Sequence, residues 1–370
     1  MKSSIKKSVC VVLGSLLMAT AYGCSEKPNQ TQKSQPDQSS AEVISGEVKD
    51  KLDKTLADEN FRGIVQISKG GKVIYQYVNG DNDNKKPLTI NDSMPIGSVS
   101  KQFCAACILY LSEQNKLSVD DTVDKYFPNY KFGKKMTVKH LLNMSSGIKN
   151  YLDFVHSSMV GDNETDNVYT ITKAIGEQEL GFEPGEDYEY SNSNYFLLAN
   201  IVEKASGIAY HKFLREQFFE PLEMKHTGFV DDIQKDEKLA SALSVEDLKK
   251  EYFYCPGVTK GAGDVVSNAE DMDKWMRGLS TGKILSTEGF RQMAETVNPE
   301  STEEYGYGLW HMPYDGVGHV GQIPPSFGAV DYINTGRDVY LFAMSNTGRG
   351  MSYVQEIPQA LLSVLFEEKS

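Results

Sequence analysis

The chain has 370 residues, 40% of them hydrophobic and 24% charged, with a formal net charge of −13. This is ordinary for a globular protein and leaves room for one large domain or two intimate ones. The acidity argues against nucleic-acid binding, and the five cysteines and six singly scattered histidines argue against a disulfide framework and a metal site.

Residues 1–23 carry Lys2, Lys6 and Lys7 ahead of an apolar run, then small residues up to Gly23. That is the pattern of an export signal, and the run is too short for a comfortable membrane span. Ala21-Tyr22-Gly23-Cys24 resembles a bacterial lipobox. Cys24 is therefore expected to be lipidated and to anchor the protein to the cell membrane, facing outside the cytoplasm. Residues 24–42 are rich in Ser, Gln, Pro and Asn and read as a flexible tether.

Ile44, Val48, Leu52 and Leu56 recur every four residues and predict an amphipathic helix. Residues 63–68 and 73–77 predict two strands joined by Lys69-Gly70-Gly71-Lys72. A helix then starts near Ser98, with Phe103, Ala106, Cys107 and Tyr110 at helical spacing and Cys104 and Cys107 as small core residues. Three further helices are expected: a short one over 137–144, one over 195–205 stopped by Gly207, and one over 269–279 capped by Asn268, with loops between. Strands return around 305–310 and 316–320. A hairpin follows over 327–333 and 339–344, and an amphipathic helix over 353–366 has Pro358 near its start. The expected fold is α/β of the α+β type, an antiparallel sheet flanked by helices. Both termini build it, over about 43–115 and 280–368 of a catalytic domain spanning 43–368, and a mostly helical insertion over about 116–279 interrupts it.

Ser98 and Lys101 stand three residues apart, so a helix places them on one face. A serine hydroxyl needs a base in hydrogen-bond reach to become a nucleophile, and unpaired N–H groups of a first helical turn can steady an oxyanion. Alone the pair is weak, since Ser-x-x-Lys arises by chance and occurs twice in the leader. Two later patterns add to it, Tyr190-Ser191-Asn192 and His319-Val320-Gly321. Each has decoys: Tyr77-Val78-Asn79, Tyr332-Ile333-Asn334 and His226-Thr227-Gly228.

Taken in order, the three motifs resemble those of the serine β-lactamase and penicillin-binding-protein superfamily. The nearest part is the group of class C β-lactamase-related DD-carboxypeptidases, D-aminopeptidases and esterases. The resemblance extends from about Val43 to Leu365 and includes Leu141-Leu142-Asn143-Met144, Pro221-Leu222-Glu223-Met224 and Tyr307-Gly308-Leu309. It implies a serine hydrolase that forms an acyl-enzyme on Ser98, without a cofactor, on a small-molecule or peptide substrate. Tyr190, lowered by the Lys101 ammonium, can then act as general base; neutral Lys101 as base is the alternative, and the sequence leaves both open. Asn192 would bind substrate and hold Lys101, and the backbone N–H groups of Ser98 and Gln322 would hold the oxyanion.

His319 stands where related β-lactamases offer a lysine. With Gly321 it is expected to bind substrate through a hydrogen bond rather than a fixed charge. That favours cell-wall D-peptides over β-lactams. An esterase or weak β-lactamase, and a penicillin-binding sensor without turnover, are the competing readings. Gln322-Ile323-Pro324-Pro325 should stiffen the following loop.

Overall fold

The fold is described from a computed structural model of the chain covering residues 44–82, 86–232, 252–295, 304–324, 327–349 and 351–367. The leader, the tether, Cys24 and Pro325 lie outside the described residues.

Helix α1 (Gly46–Asp58) starts where the Ser45 hydroxyl accepts from the Val48 N–H, and it buries Leu52 and Leu56. It leads into the hairpin of β1 (Gly63–Lys69) and β2 (Lys72–Asn79). After β3 (Met94–Pro95) the chain makes a 3-10 turn over Gly97–Ser100 and enters α2 (Lys101–Glu113). Ser98 thus sits on the 3-10 turn, just ahead of the α-helix expected to carry it. In α2, 10 of 13 residues are buried on all sides, which makes it an interior helix.

The middle of the chain is helical, as expected, with α3 (Val138–Leu142), α4 (Glu164–Glu177), α5 (Asn192–Ser206) and α6 (Tyr210–Leu214). Gly207 at φ 73° ends α5, a left-handed position that suits glycine. Helix α4 occupies a stretch read from sequence as loop. Its first turn is polar, and its buried face is only Asn167, Ile171, Ala174 and Ile175, too thin a stripe to announce a helix. Two short strands, β4 (Gly228–Phe229) and β5 (Val265–Ser267), form with β3 a second sheet of order β3-β5-β4. Helices α7 (Ala269–Ser280) and α8 (Thr287–Ala294) follow, the first capped by Asn268 as expected.

The remaining strands are β6 (Trp310–Met312), β7 (Gly316–Gly318), β8 (Val320–Ile323), β9 (Phe327–Asn334) and β10 (Val339–Ser345). They join the first hairpin in one antiparallel sheet of order β2-β1-β10-β9-β7-β6, with β8 also on β9. Both chain ends therefore build the sheet, through the β1–β10 pairing of Ile64 with Met344. Alternation sorts its two faces. Val65, Val330, Tyr332, Leu341 and Ala343 pack with α1, whereas Ile64, Ala329, Ile333, Phe342 and Met344 join the core around α2.

The last helix differs from expectation. It is broken at Glu356 into α9 (Met351–Gln355) and α10 (Ile357–Glu367). Pro358 lacks the N–H that would bond back one turn, and its ring clashes with the carbonyl four residues earlier.

Candidate active site

The small sheet sets the position of Ser98. The Ile96 N–H donates to the Val265 carbonyl at 3.0 Å, and the Val265 N–H donates to the Ser100 hydroxyl at 3.0 Å. The middle serine of Ser98-Val99-Ser100-Lys101 thus ties the turn to residues 262–265. Ser98 itself is half-buried.

Lys101 is fully buried, and its Nζ has three partners. They are Ser98 Oγ at 3.0 Å, Asn192 Oδ1 at 2.8 Å and the Ala262 carbonyl at 2.6 Å. Asn192 Nδ2 donates to Asn150 Oδ1 at 3.3 Å, which orients Asn192 with its oxygen toward the amine. Two of the three partners can only accept. A charged amine donates to all three, Ser98 Oγ included, whereas a neutral amine gives its two N–H groups to those two oxygens and has its lone pair for the Ser98 hydroxyl proton. Burial pushes the Lys101 amine down to about 7, so the neutral form is accessible near neutral pH.

Tyr190 is half-buried, with its ring centroid 5.0 Å from Lys101 Nζ. Burial raises its phenol above the usual value, and a hydrogen bond with Ser98 offsets this only in part. The direction is opposite to the lowering expected from a lysine ammonium, because burial of the phenol itself dominates. Tyr190 is therefore a neutral phenol that can pass a proton.

His319, expected to bind substrate, is brought close to this group, with its ring turned into the protein. Its side chain is buried, Nδ1 lies 2.6 Å from the Val320 carbonyl and Nε2 lies 3.2 Å from the Tyr305 hydroxyl. A carbonyl only accepts, so the proton is on Nδ1, and Nε2 accepts from Tyr305. Burial, with repulsion from Lys101, pushes the imidazole down to about 3. It is neutral, with both nitrogens occupied. Its ring packs in a cluster with Tyr190, Tyr305 and Trp310.

Gly321 acts through what it lacks. A Cβ there would lie 2.0 Å from the Ile96 carbonyl and 2.8 Å from the Ser98 nitrogen. One at Gly97, whose φ is +54°, would lie 2.6 Å from the Gln322 nitrogen. Two glycines thus let β8 lie against the Ser98 turn. The Asp331 N–H donates to the His319 carbonyl, so in the alternating ladder of β8 on β9 the Gln322 N–H points away from β9, toward that turn. Backbone nitrogens of Ser98 and Gln322 thus lie where β8 meets the turn.

Sequence reading missed three contributors. Ala262 offers only a carbonyl, and its one signal is the run Gly261-Ala262-Gly263, residues small enough for close backbone approach. Asn150 orients Asn192. Asp331, fully buried, accepts from Gln102 Nε2 at 3.0 Å and the His319 N–H at 2.8 Å, and so ties β9 and His319 to α2. Burial pushes its carboxyl up to about 7. The decoys fall elsewhere. Tyr77 and Tyr332 lie in strands β2 and β9, and the His226 N–H is held by Asp271. A Gly-x-Ser-x-Gly pattern at residues 278–282 is a decoy too: Ser280 ends α7, and its hydroxyl donates to the Met276 carbonyl at 2.8 Å.

The Beta-lactamase family model matches residues 48–366. A penicillin-binding protein of Bacillus subtilis (strain 168) is 29% identical over 345 residues, 85% of this chain and 75% of that protein. The teichoic acid D-alanine hydrolase of Staphylococcus aureus is 27% identical over 271 residues, 71% of this chain and 66% of that one. The solved D-amino acid amidase of Ochrobactrum anthropi SV3 superposes with a TM-score of 0.71 at 25% identity, over 86% of this chain and 99% of that one.

Proposed function

The chain belongs to the Beta-lactamase family and is a serine hydrolase acting on acyl groups; on that premise we propose that it cleaves D-aminoacyl bonds of cell-wall peptides through an acyl-enzyme on Ser98. The observation that carries this reading is the convergence of Ser98 Oγ, Asn192 Oδ1 and the Ala262 carbonyl on the buried Lys101 amine.

The Ser98 oxygen attacks the carbonyl carbon as its proton passes to Lys101. The carbonyl oxygen takes the negative charge against the N–H groups of Ser98 and Gln322. As the tetrahedral centre collapses, the bond to the leaving amine or alkoxide breaks. The proton on Lys101 reaches that group by way of the Tyr190 phenol. Water repeats the sequence on the acyl-enzyme and regenerates Ser98. Asn192 keeps the amine aligned throughout.

The D-aminoacyl substrate is supported by the names of the relatives, a D-alanine hydrolase and a D-amino acid amidase. An ester rather than an amide bond is the second reading, favoured by the teichoic acid relative. The test is turnover of a D-Ala-D-Ala peptide, a D-alanyl ester and a cephalosporin by the purified chain, with labelling by a fluorescent penicillin and Ser98→Ala as control. Turnover of the D-alanyl substrates that Ser98→Ala abolishes is expected. Cephalosporin turnover alone would overturn the substrate. A stable acylated protein with no product would instead mark a sensor.

We propose further that the protein is exported and held at the membrane through Cys24, a reading supported by the leader pattern. Cys24→Ala should release it from membranes, and persistent membrane association would overturn the anchor.

A further inference from the structure

We propose that Asp264, held by His211, is a positioning residue for Lys101: the pair fixes the Ala262 carbonyl against the lysine amine and sets a negative charge beside it. The inference rests on Lys101 taking the Ser98 proton.

The segment around Ala262 is pinned on both sides. The Tyr151 hydroxyl donates to the Val258 carbonyl at 2.6 Å, and buried Lys260 pairs with Glu203 at 2.7 Å and Glu164 at 3.2 Å. A Cβ at Gly261 would lie 2.6 Å from the Ala199 Cβ and 2.7 Å from the Tyr195 carbonyl, so the backbone is pressed onto α5. On the other side, the Val230 N–H donates to the Asp264 carbonyl at 2.9 Å. Asp264 Oδ2 lies 2.7 Å from His211 Nε2, and the His211 ring stacks on Phe229 with centroids 3.8 Å apart.

Asp264 is 2% exposed, and its Oδ1 is buried without a hydrogen bond. A carboxylate left half-unsatisfied in the interior is costly, and a structural tether would not need one. Its charge acts on the neighbouring amine. Burial pushes Lys101 down to about 7, and Asp264 draws it back up. Cys104 also faces the amine, but burial raises its thiol and keeps it neutral. Burial works against a charged His211 too, yet the hydrogen bond and charge of Asp264 outweigh it and raise the imidazole. The other ionisable groups around the pair are Asp231, Asp232, Glu164 and Tyr210. Of these, Asp232 is paired with Arg215 and Glu164 with Lys260. Asp231 is pushed by burial up to about 6. Tyr210 is raised by burial and stays neutral.

The signs follow from charge alone. Asp264→Asn keeps the shape and removes the negative charge, so Lys101 should titrate lower. His211→Gln keeps a donor to Oδ2 and removes the positive charge, so Asp264 should act at full strength and Lys101 should titrate higher.

The experiment is an NMR titration of the full chain labelled with 13Cε-lysine, with Lys101 assigned by Lys101→Arg. Acylation by p-nitrophenyl acetate is followed on the same preparations. The expected result is a Lys101 midpoint about one pH unit lower in Asp264→Asn and raised in His211→Gln, with the acid limb of acylation moving alike. Midpoints that stay in place, or that move in the same direction, overturn the proposal. Should Asp264→Asn fail to fold, the upward movement in His211→Gln decides alone. Variant midpoints that move as stated, with a wild-type chain that p-nitrophenyl acetate does not acylate, would count against the hydrolase reading and leave the coupling supported.

Discussion

Lys101 and His319 are equally buried, at 0% and 1% exposure, and burial lowers both, yet the lysine is left at about 7 and the imidazole at about 3. Both groups fall by a similar amount from their ordinary values of 10.5 and 6.5, so the gap is the one an amine and an imidazole start with. What differs is their partners. Lys101 reaches Ser98 Oγ besides two oxygens that only accept, so in its neutral form it has a lone pair for the hydroxyl proton. His319 gives its proton to the Val320 carbonyl and its lone pair to Tyr305. Burial alone does not make a base; a base needs an electron pair that nothing else holds.

The sharpest way to break this contrast is to remove the lysine. Lys101→Met should lower the acylation rate by about a thousandfold, the scale of general-base catalysis. Burst kinetics with an acyl ester measure it, and a loss under tenfold would remove Lys101 from the proton path. Next is the backbone approach between β8 and the Ser98 turn. Gly321→Ala puts a Cβ where 2.0 Å separates it from the Ile96 carbonyl, so β8 must retreat. A loss of about a hundredfold is expected, the scale of one oxyanion donor. Unchanged acylation would separate Gln322 from the oxyanion.

The pH profile separates the two bases directly. Acylation should rise with pH and level off above about 7, where Lys101 becomes neutral. Tyr190→Phe should lower the rate but leave that midpoint in place. A midpoint that disappears with the phenol would make Tyr190 the base.

His319→Gln should change acylation by less than about tenfold while lowering stability by about 1–3 kcal/mol, since the Tyr305 hydroxyl and Val320 carbonyl lose partners. Urea unfolding reads the stability, and a collapse of acylation with stability intact would restore His319 to substrate contact. The smallest effect belongs to Asp331. Burial holds its carboxyl at about 7 in the folded protein, above an unfolded carboxyl near about 4. The folded state keeps the proton longer, so the stability this group contributes is present below about pH 4 and lost as pH rises through about 7. Asp331→Asn should therefore gain stability relative to wild type between pH 5 and pH 8. A difference that does not grow across that window would mean the carboxyl is already ionised.

Much of the fold was legible. The β1–β2 and β9–β10 hairpins are short β-rich runs around turn residues, and α1, α5 and α7 carry apolar faces with caps. Those signals are local, so the sequence exposes them. Helix α4 and the three short strands of the second sheet are too short or too polar to do so. Their order β3-β5-β4 joins segments far apart in the chain, and it is that sheet which brings Ala262 to Lys101.

By itself the sequence singled out the candidate reacting group, because Ser98, Lys101, Tyr190 and Asn192 carry their chemistry in their side chains, at motif spacings a reader can find. Only the tertiary structure decided what each one is free to do. The lysine amine is held by the Ala262 carbonyl, the imidazole of His319 is closed off by Tyr305 and Val320, and β8 lies against the Ser98 turn because Gly97 and Gly321 leave room. Proton affinity in a buried site is set by desolvation and by the hydrogen-bond partners that surround it, and those partners come from segments no motif connects.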